Sequence, residues 1–367
     1  MIMIKGYIPV FILSVILLSS YPSAASDPAF EIDANWPKTL PNKWVLGEID
    51  GVAVDSQNHI WISNRPRSIP DDQKGVTSWE RRTKCCVPAP PILEFDQEGN
   101  VVQGWGGQSE GFEWPSREHG IFVDNENTVW LSGNGINDGM VLHFERNGKF
   151  IRQYGHSGPV KGSLDITQMA RPSDIAVDEQ LREVYISDGY SNHRIIVFDS
   201  KTGDFKRMWG AYGSLPTDLP YRDFVLDSPQ FSNPVHCIVM SKDGFLYVCD
   251  RGNNRLQVFD KEGHFVKQYI NEPDTYGPKG QGSVWDIDFW PKSSQEFIIV
   301  VDGANDEMRV IRRDNGQVAF TAGRPGRQAG QFHKVHSVAV DDFGNLFTTE
   351  TLSGNRIQKW RPAQNNK

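Results

Sequence analysis

The 367-residue chain lacks several features that would place it in a common class. It has no long run of lysine or arginine, and acidic residues outnumber basic ones, 46 to 38. A general nucleic-acid binder usually carries a basic stripe, so that class is set aside. No glycine-rich loop of the phosphate-cradling kind occurs, and no Gly-x-Ser-x-Gly nucleophile elbow. The sequence therefore gives no ground for phosphate-loop or α/β-hydrolase chemistry. There is no low-complexity tract, and no segment keeps an amphipathic period through three helical turns.

Long apolar runs are also scarce. Ile8 to Leu18 is interrupted only by Pro9 and Ser14, and is short for a membrane span. Lys5 precedes it, and the small residues Ser23-Ala24-Ala25 follow. Residues 1–25 therefore read as a cleaved secretory signal, an uncleaved anchor being the other reading. The mature protein is expected to be secreted or periplasmic, without a membrane span, and monomeric. Export permits disulfides, although there are only four cysteines. Cys85 and Cys86 are adjacent in a loop. Cys237 and Cys249 flank a hairpin turning at Asp243-Gly244, which brings them near enough for a cross-strand bridge. Free thiols are the alternative, and spacing alone does not decide connectivity.

What the chain does contain is one short phrase, written six times. Its clearest copies are His119-Gly120-Ile121-Phe122-Val123-Asp124 and His336-Ser337-Val338-Ala339-Val340-Asp341. His236-Cys237-Ile238-Val239-Met240-Ser241 keeps the histidine and the apolar run. The other copies end in Val54-Asp55, Val177-Asp178 and Phe289-Trp290, with Asp50, Ser173 and Trp285 at the histidine's place. Each phrase is followed by a polar turn and a second apolar strand, such as Ile60-Trp61-Ile62-Ser63 or Leu246-Tyr247-Val248-Cys249. Turn pairs such as Asp243-Gly244 and Gly344-Asn345 tolerate left-handed backbone. Third and fourth strands follow, as in Arg255 to Phe259 and Phe265 to Tyr269.

Six four-stranded meanders at uneven spacing predict an all-β, six-bladed β-propeller. The propeller is assigned to residues 48–362 and a C-terminal tail to 363–367. Residues 26–47 form an N-terminal segment, within which Trp36 to Gly47 is expected to add an outer strand to the last blade. Ring closure would remove the exposed sheet edges. Two long insertions, Arg65 to Pro91 and Trp209 to Asn233, are either functional loops or covers for blade edges.

Histidine occupies the phrase in copies two, four and six. Inner strands line a propeller's channel, so these imidazoles converge from three directions. Three neutral imidazoles suit zinc and leave a coordination position open. One such histidine alone would read as a packing residue; three in one register read as a metal site. His59, His143, His156, His193, His264 and His333 lie outside the register. Arg65 and Tyr190 follow the second strands of blades 1 and 3 and are expected at the channel mouth. There a guanidinium can make a two-point contact to a carboxylate. It can also hold the charge of a phenolate. Asp188, Asp250 and Asp302, at matching strand ends, read as structural hydrogen-bonding groups.

The phrases Ser187-Asp188-Gly189-Tyr190-Ser191-Asn192-His193-Arg194-Ile195 and Asp250-Arg251-Gly252-Asn253-Asn254-Arg255-Leu256 resemble NHL repeats. From about Trp44 to Trp360 the pattern resembles the peptidyl-α-hydroxyglycine α-amidating lyase family. The resemblance implies a catalytic zinc on His119, His236 and His336 and a catalytic tyrosine in an Asp-Gly-Tyr turn, matched by Tyr190. It also implies a substrate-binding arginine ten residues after the first Val-Asp, matched by Arg65. The implied reaction cleaves a C-terminal α-hydroxyglycine to a peptide amide and glyoxylate.

The chain departs from the family in three places. Val335 stands where the family has a methionine-proline pair. Ser191 replaces a family cysteine. Ser337 replaces an aspartate tied to a structural calcium, leaving the backbone carbonyls of Val52 and Ile121 as calcium ligands. The 367 residues show no copper monooxygenase sequence, and another α-hydroxylated amide or a carbinolamide is the alternative substrate expected.

Two other classes fit the fold. A non-catalytic NHL propeller would bind a protein or glycan on its top face and hold no stoichiometric metal. A calcium-dependent lactonase would need carboxylates around the axis, and the inner register offers only Asp50.

Overall fold

The computed structural model describes Ile2 and residues 27–70, 86–159, 161–220, 225–275 and 281–363. The proposed signal over residues 1–25 lies outside these except for Ile2, as does Cys85. Among the described residues there is no α-helix, and no helix is long and apolar enough to cross a membrane.

The chain forms six four-stranded antiparallel sheets arranged as propeller blades. From the inside outward, blade 1 comprises Glu48–Val54, Ile60–Arg65, Ile92–Phe95 and Val101–Trp105. Blade 2 comprises Glu118–Val123, Val129–Gly133, Met140–Phe144 and Phe150–Gly155. Blade 3 comprises Asp174–Asp178, Glu183–Asp188, Arg194–Asp199 and Phe205–Trp209. Blade 4 comprises Val235–Met240, Leu246–Asp250, Arg255–Phe259 and Phe265–Ile270. Blade 5 comprises Asp286–Trp290, Phe297–Asp302, Glu307–Arg312 and Val318–Ala322. Blade 6 comprises Val335–Val340, Leu346–Glu350 and Arg356–Pro362, completed by Phe30–Asp33 from the N-terminal segment.

Ring closure thus comes from Phe30–Asp33 and not from Trp36 to Gly47, where it was expected. Phe30 and Ile32 alternate onto the core between blades 5 and 6. Pro37 and Pro41 deny the later segment a continuous ladder, because proline lacks the donor. Trp36 instead fills the seam between blades 6 and 1, and Trp44–Val45 pairs in parallel with Val87–Pro88.

The core is divided among the seams. Six apolar clusters each join two neighbouring blades, for example Trp61 with Leu131 between blades 1 and 2, and Tyr247 with Ile287 between blades 4 and 5. Middle strands such as Val129–Gly133 are buried throughout because a blade covers each face. Outer strands such as Phe150–Gly155 are less buried, with Ile151 exposed and Tyr154 buried.

Strand ends are tied by ion pairs that recur from blade to blade. Arg194 reaches Asp188 at 2.9 Å and Arg255 reaches Asp250 at 2.7 Å, with all four side chains buried. The structural reading of these aspartates therefore holds. The described part of the second insertion is tied to a neighbouring loop and to blade 4: Asp218 binds Ser163, and Arg255 donates to the Tyr212 hydroxyl at 2.7 Å.

Candidate metal and active site at the channel mouth

The inner strands that carry the three histidines are irregular at the histidine. In blade 2 the ladder passes from Glu118–Gly133 to Ile121–Leu131, so His119 and Gly120 together face Ser132. In blade 4 His236 and Cys237 together face Cys249. In blade 6 the ladder skips His336. A bulge of this kind re-aims a side chain that a regular strand would place elsewhere. Blades 3 and 5 have no bulge there, whereas blade 1 has one at Asp50.

The bulges turn the three imidazoles toward one another. Their ring centroids are 4.7–5.1 Å apart, and one ligand-type nitrogen from each lies within 4.8 Å of the others. The odd-numbered blades supply the orienting partners. Nδ1 of His119 donates to the carbonyl of Ser173 at 2.8 Å, and Nδ1 of His336 to that of Asp50 at 2.7 Å. Nδ1 of His236 donates to the carbonyl of Trp285. Ser173, Asp50 and Trp285 are the residues that hold the histidine's place in blades without one. A carbonyl only accepts, so each Nδ1 carries the proton and each Nε2 keeps its lone pair.

All three side chains are 2–3% exposed. Burial holds each imidazole well below the usual histidine range. His119 is further depressed by His336, His236 by Arg251, and His336 by Arg65. Neutral imidazoles with oriented Nε2 atoms are the form that binds a metal, and carbonyl-anchored Nδ1 atoms are the usual second support. The residues present fit such an ion.

Tyr190 completes the group. Its hydroxyl lies 3.0 Å from Nε2 of both His119 and His236. Gly189 allows this approach, because a Cβ there would stand 2.1 Å from the Val235 carbonyl oxygen. The turn is also pinned through its backbone, with Tyr190 N donating to Arg171 O and Val235 N to Gly189 O, both at 3.3 Å.

Arg65 is brought to the same place, although its guanidinium is already engaged. It is 3% exposed, and its Nε donates to the Glu118 carbonyl at 2.6 Å. Its terminal nitrogens reach Glu48 at 2.7 Å, Asp50 at 2.8 Å and Asn134 at 2.9 Å. The carboxylate contact expected of Arg65 is therefore made within the chain. Burial works against its charge, but Asp50 and Glu48 hold the guanidinium above its ordinary value. Asp50 is pushed up by burial against the pull of Arg65.

Two arginines not foreseen from sequence lie over the Tyr190 ring: Arg171, with its guanidinium carbon at 5.3 Å, and Arg251, at 5.9 Å. Arg171 Nε donates to the Asn134 carbonyl at 2.8 Å. Arg251 also lies over Trp285 at 4.3 Å. Arg251 sits directly after Asp250 in the repeat phrase, which was the one available signal for it.

Val52 and Ile121 line a narrow cavity of about 20 Å³ together with His119, His236, Asp174 and Asp286. A wider cavity of about 500 Å³ opens beyond it. Carboxylates therefore do stand around the axis, one residue beyond the register in which only Asp50 was found. Burial pushes Asp174 up to about 7 and Asp286 well above the carboxylate range, the latter further raised by Asp174. Asp174 accepts from Ile238 N and Asp286 from Val338 N, each at 3.0 Å.

Among the described residues one other cluster has ligand-type side chains: Asp55, His59 and Glu94. Arg146 occupies its centre, pairing with Asp55 at 2.7 Å and with Glu94, which accounts for it as an ion-pair network.

Of the described cysteines, Cys237 and Cys249 form the cross-strand disulfide, Cys86 is also disulfide-bonded, and none is free.

A model of the NHL repeat matches residues 169–198 and 235–259, which are parts of blades 3 and 4 with the loops before them. The chain is 28% identical over 348 residues to peptidyl-glycine alpha-amidating monooxygenase B of Xenopus laevis, covering 92% of this chain and 36% of that protein. It is 23% identical over 322 residues to a probable peptidyl-alpha-hydroxyglycine alpha-amidating lyase of Caenorhabditis elegans, covering 86% and 83%. It is also 28% identical over 263 residues to NHL repeat-containing protein 3 of Mus musculus, covering 69% and 63%. The chain thus spans under two thirds of the mouse protein and about a third of the frog one. A solved streptogramin B lyase has the same fold, with a TM-score of 0.52 at 12% identity, covering 92% of this chain and 98% of that one. The chain is an NHL-repeat six-bladed propeller that resembles the amidating lyases.

Proposed function

We propose that this protein is a zinc-dependent lyase that cleaves an α-hydroxylated C-terminal glycine, or a related carbinolamide, to an amide and glyoxylate. The observation that carries the reading is the Tyr190 hydroxyl, 3.0 Å from Nε2 of both His119 and His236. A general base and three neutral imidazoles meet at one point.

His119, His236 and His336 would hold the zinc through Nε2, and the ion, when bound, would polarise the substrate hydroxyl and ease loss of its proton. Tyr190 is the general base that takes that proton. Arg171 and Arg251 lie over its ring, and Arg65 is near enough to act on it electrostatically. As the oxygen's electron pair forms the aldehyde C=O, the C–N bond breaks. The amide nitrogen leaves with that bond's pair and takes up the proton, giving the amide and glyoxylate. Arg65 acts through its field, since Glu48 and Asp50 already hold its guanidinium. Arg171 and Arg251 are the guanidinium groups placed to orient the substrate carboxylate.

The relatives named as amidating lyases support the reaction class, and a peptide or α-hydroxylated amide is the substrate proposed. Secretion or export to a periplasm is proposed from the Ile8–Leu18 stretch and the Ser23-Ala24-Ala25 site. Glyoxylate release from α-hydroxyglycine peptides tests the reading. Release that depends on zinc and on Tyr190 is expected, and a correctly loaded protein that releases none contradicts it.

A further inference from the structure

The three histidine-bearing blades secure their bulges in two different ways. In blade 2, Ser132 faces the bulge and accepts from Gly120 N at 2.9 Å. Its hydroxyl donates at 2.8 Å to the Ser173 carbonyl, the same oxygen that receives His119 Nδ1. In blade 6 the residue after the histidine does this work: Ser337 donates at 2.8 Å to the Asp50 carbonyl, which also receives His336 Nδ1. One hydroxyl thus clamps the carbonyl that orients each imidazole.

Blade 4 has neither hydroxyl. The counterpart of Ser132 is Cys249 and the counterpart of Ser337 is Cys237, and these two form a disulfide. Both clamp positions are used up in one covalent bond across the bulge that carries His236. The Trp285 carbonyl receives His236 Nδ1 with no hydroxyl from either position beside it.

Building on the metal reading of the triad, we propose that the Cys237–Cys249 disulfide is the positioning element for His236, and that opening it weakens metal binding. A dithiol would break the S–S bond, supplying two electrons and two protons. Cys237 and Cys249 become thiols and the dithiol becomes a disulfide. The bulge then loses its covalent tie, and a thiol is too weak a donor to replace the serine clamp. Both cysteines are at most 1% exposed, so the reductant reaches them only through local opening.

The test is zinc and cobalt(II) titration of the metal-stripped full chain in three forms: wild type, C237A/C249A, and C237G/C249S, which copies the Gly120/Ser132 pair of blade 2. Loss of support behind a ligand typically lowers metal affinity about 10- to 100-fold. The alanine pair is expected to bind zinc at least about tenfold more weakly, with an altered cobalt absorption spectrum, and the glycine–serine pair to recover most of both. Wild-type affinity and spectrum in the alanine pair overturn the proposal while leaving the metal site standing. A wild-type protein that takes up no metal overturns the metal reading itself. Should the alanine pair not fold, wild type reduced by a dithiol and desalted without oxygen replaces it. Unchanged zinc affinity with the two thiols present then overturns the proposal.

Discussion

Nδ1 of His119 on blade 2 donates to the backbone carbonyl of Ser173 on blade 3, at 2.8 Å. Ser173 is the residue that fills the histidine's place in its own blade. The same relation joins His236 to Trp285 and His336 to Asp50. Odd blades therefore orient what even blades present. The repeat sets the distance, and ring closure sets the partner.

Tyr190→Phe removes only the hydroxyl 3.0 Å from the two Nε2 atoms. The variant is expected to fold and to bind metal as wild type does. Its kcat for glyoxylate release should fall by about 10²- to 10⁴-fold, the usual worth of a general base. Steady-state kinetics beside metal analysis check this.

Gly189→Ala should act on the same atom indirectly. The added Cβ meets the Val235 backbone, so the turn must move and carry Tyr190 away from His236. A loss of activity approaching that of Tyr190→Phe is expected, with zinc retained. Kinetics and metal content of the variant decide it.

Arg65→Met leaves the buried Asp50 without its ion-pair partner and Glu48 with only the exposed Arg117. Breaking a buried pair from one side typically costs about 3–5 kcal/mol. Urea unfolding should show a loss of that order, and a second change, Asp50→Asn, should recover part of it.

Asp286→Asn should stabilise the metal-free protein at alkaline pH. Both channel aspartates are raised in the fold, Asp174 to about 7 and Asp286 well above the carboxylate range, mainly by burial. An unfolded aspartate titrates near about 3.9. A raised acid contributes stability that is fully present below that value and is lost as pH rises through the folded value. Wild type and variant should therefore match near pH 4 and diverge by pH 8, with the variant more stable. Thermal unfolding in chelator at the two pH values measures this.

The propeller was legible because each blade repeats its phrase, turn and second strand. The three histidines were legible because they share one place in that phrase. Other parts were hidden for physical reasons. The carbonyl partners depend on which blades become neighbours, and so on closure. Asp174 and Asp286 escaped because they lie one residue past the register, in blades whose inner strands lack the bulge. Arg171 sits in a loop with left-handed backbone, φ 62°, outside any repeat. Arg65 was found, but the acids that hold it, Glu48 and Asp50, are adjacent only across a bulged hairpin. The closing strand Phe30–Asp33 is four residues long, too short for its pattern to stand out in the sequence.

The most direct test of the central claim is the metal content of the purified protein, in wild type and in His119→Ala. The account predicts about one zinc per chain in wild type and most of it lost in the variant. A wild-type protein that holds no metal, and takes up none when zinc is added, would contradict it and favour a propeller that only binds a partner.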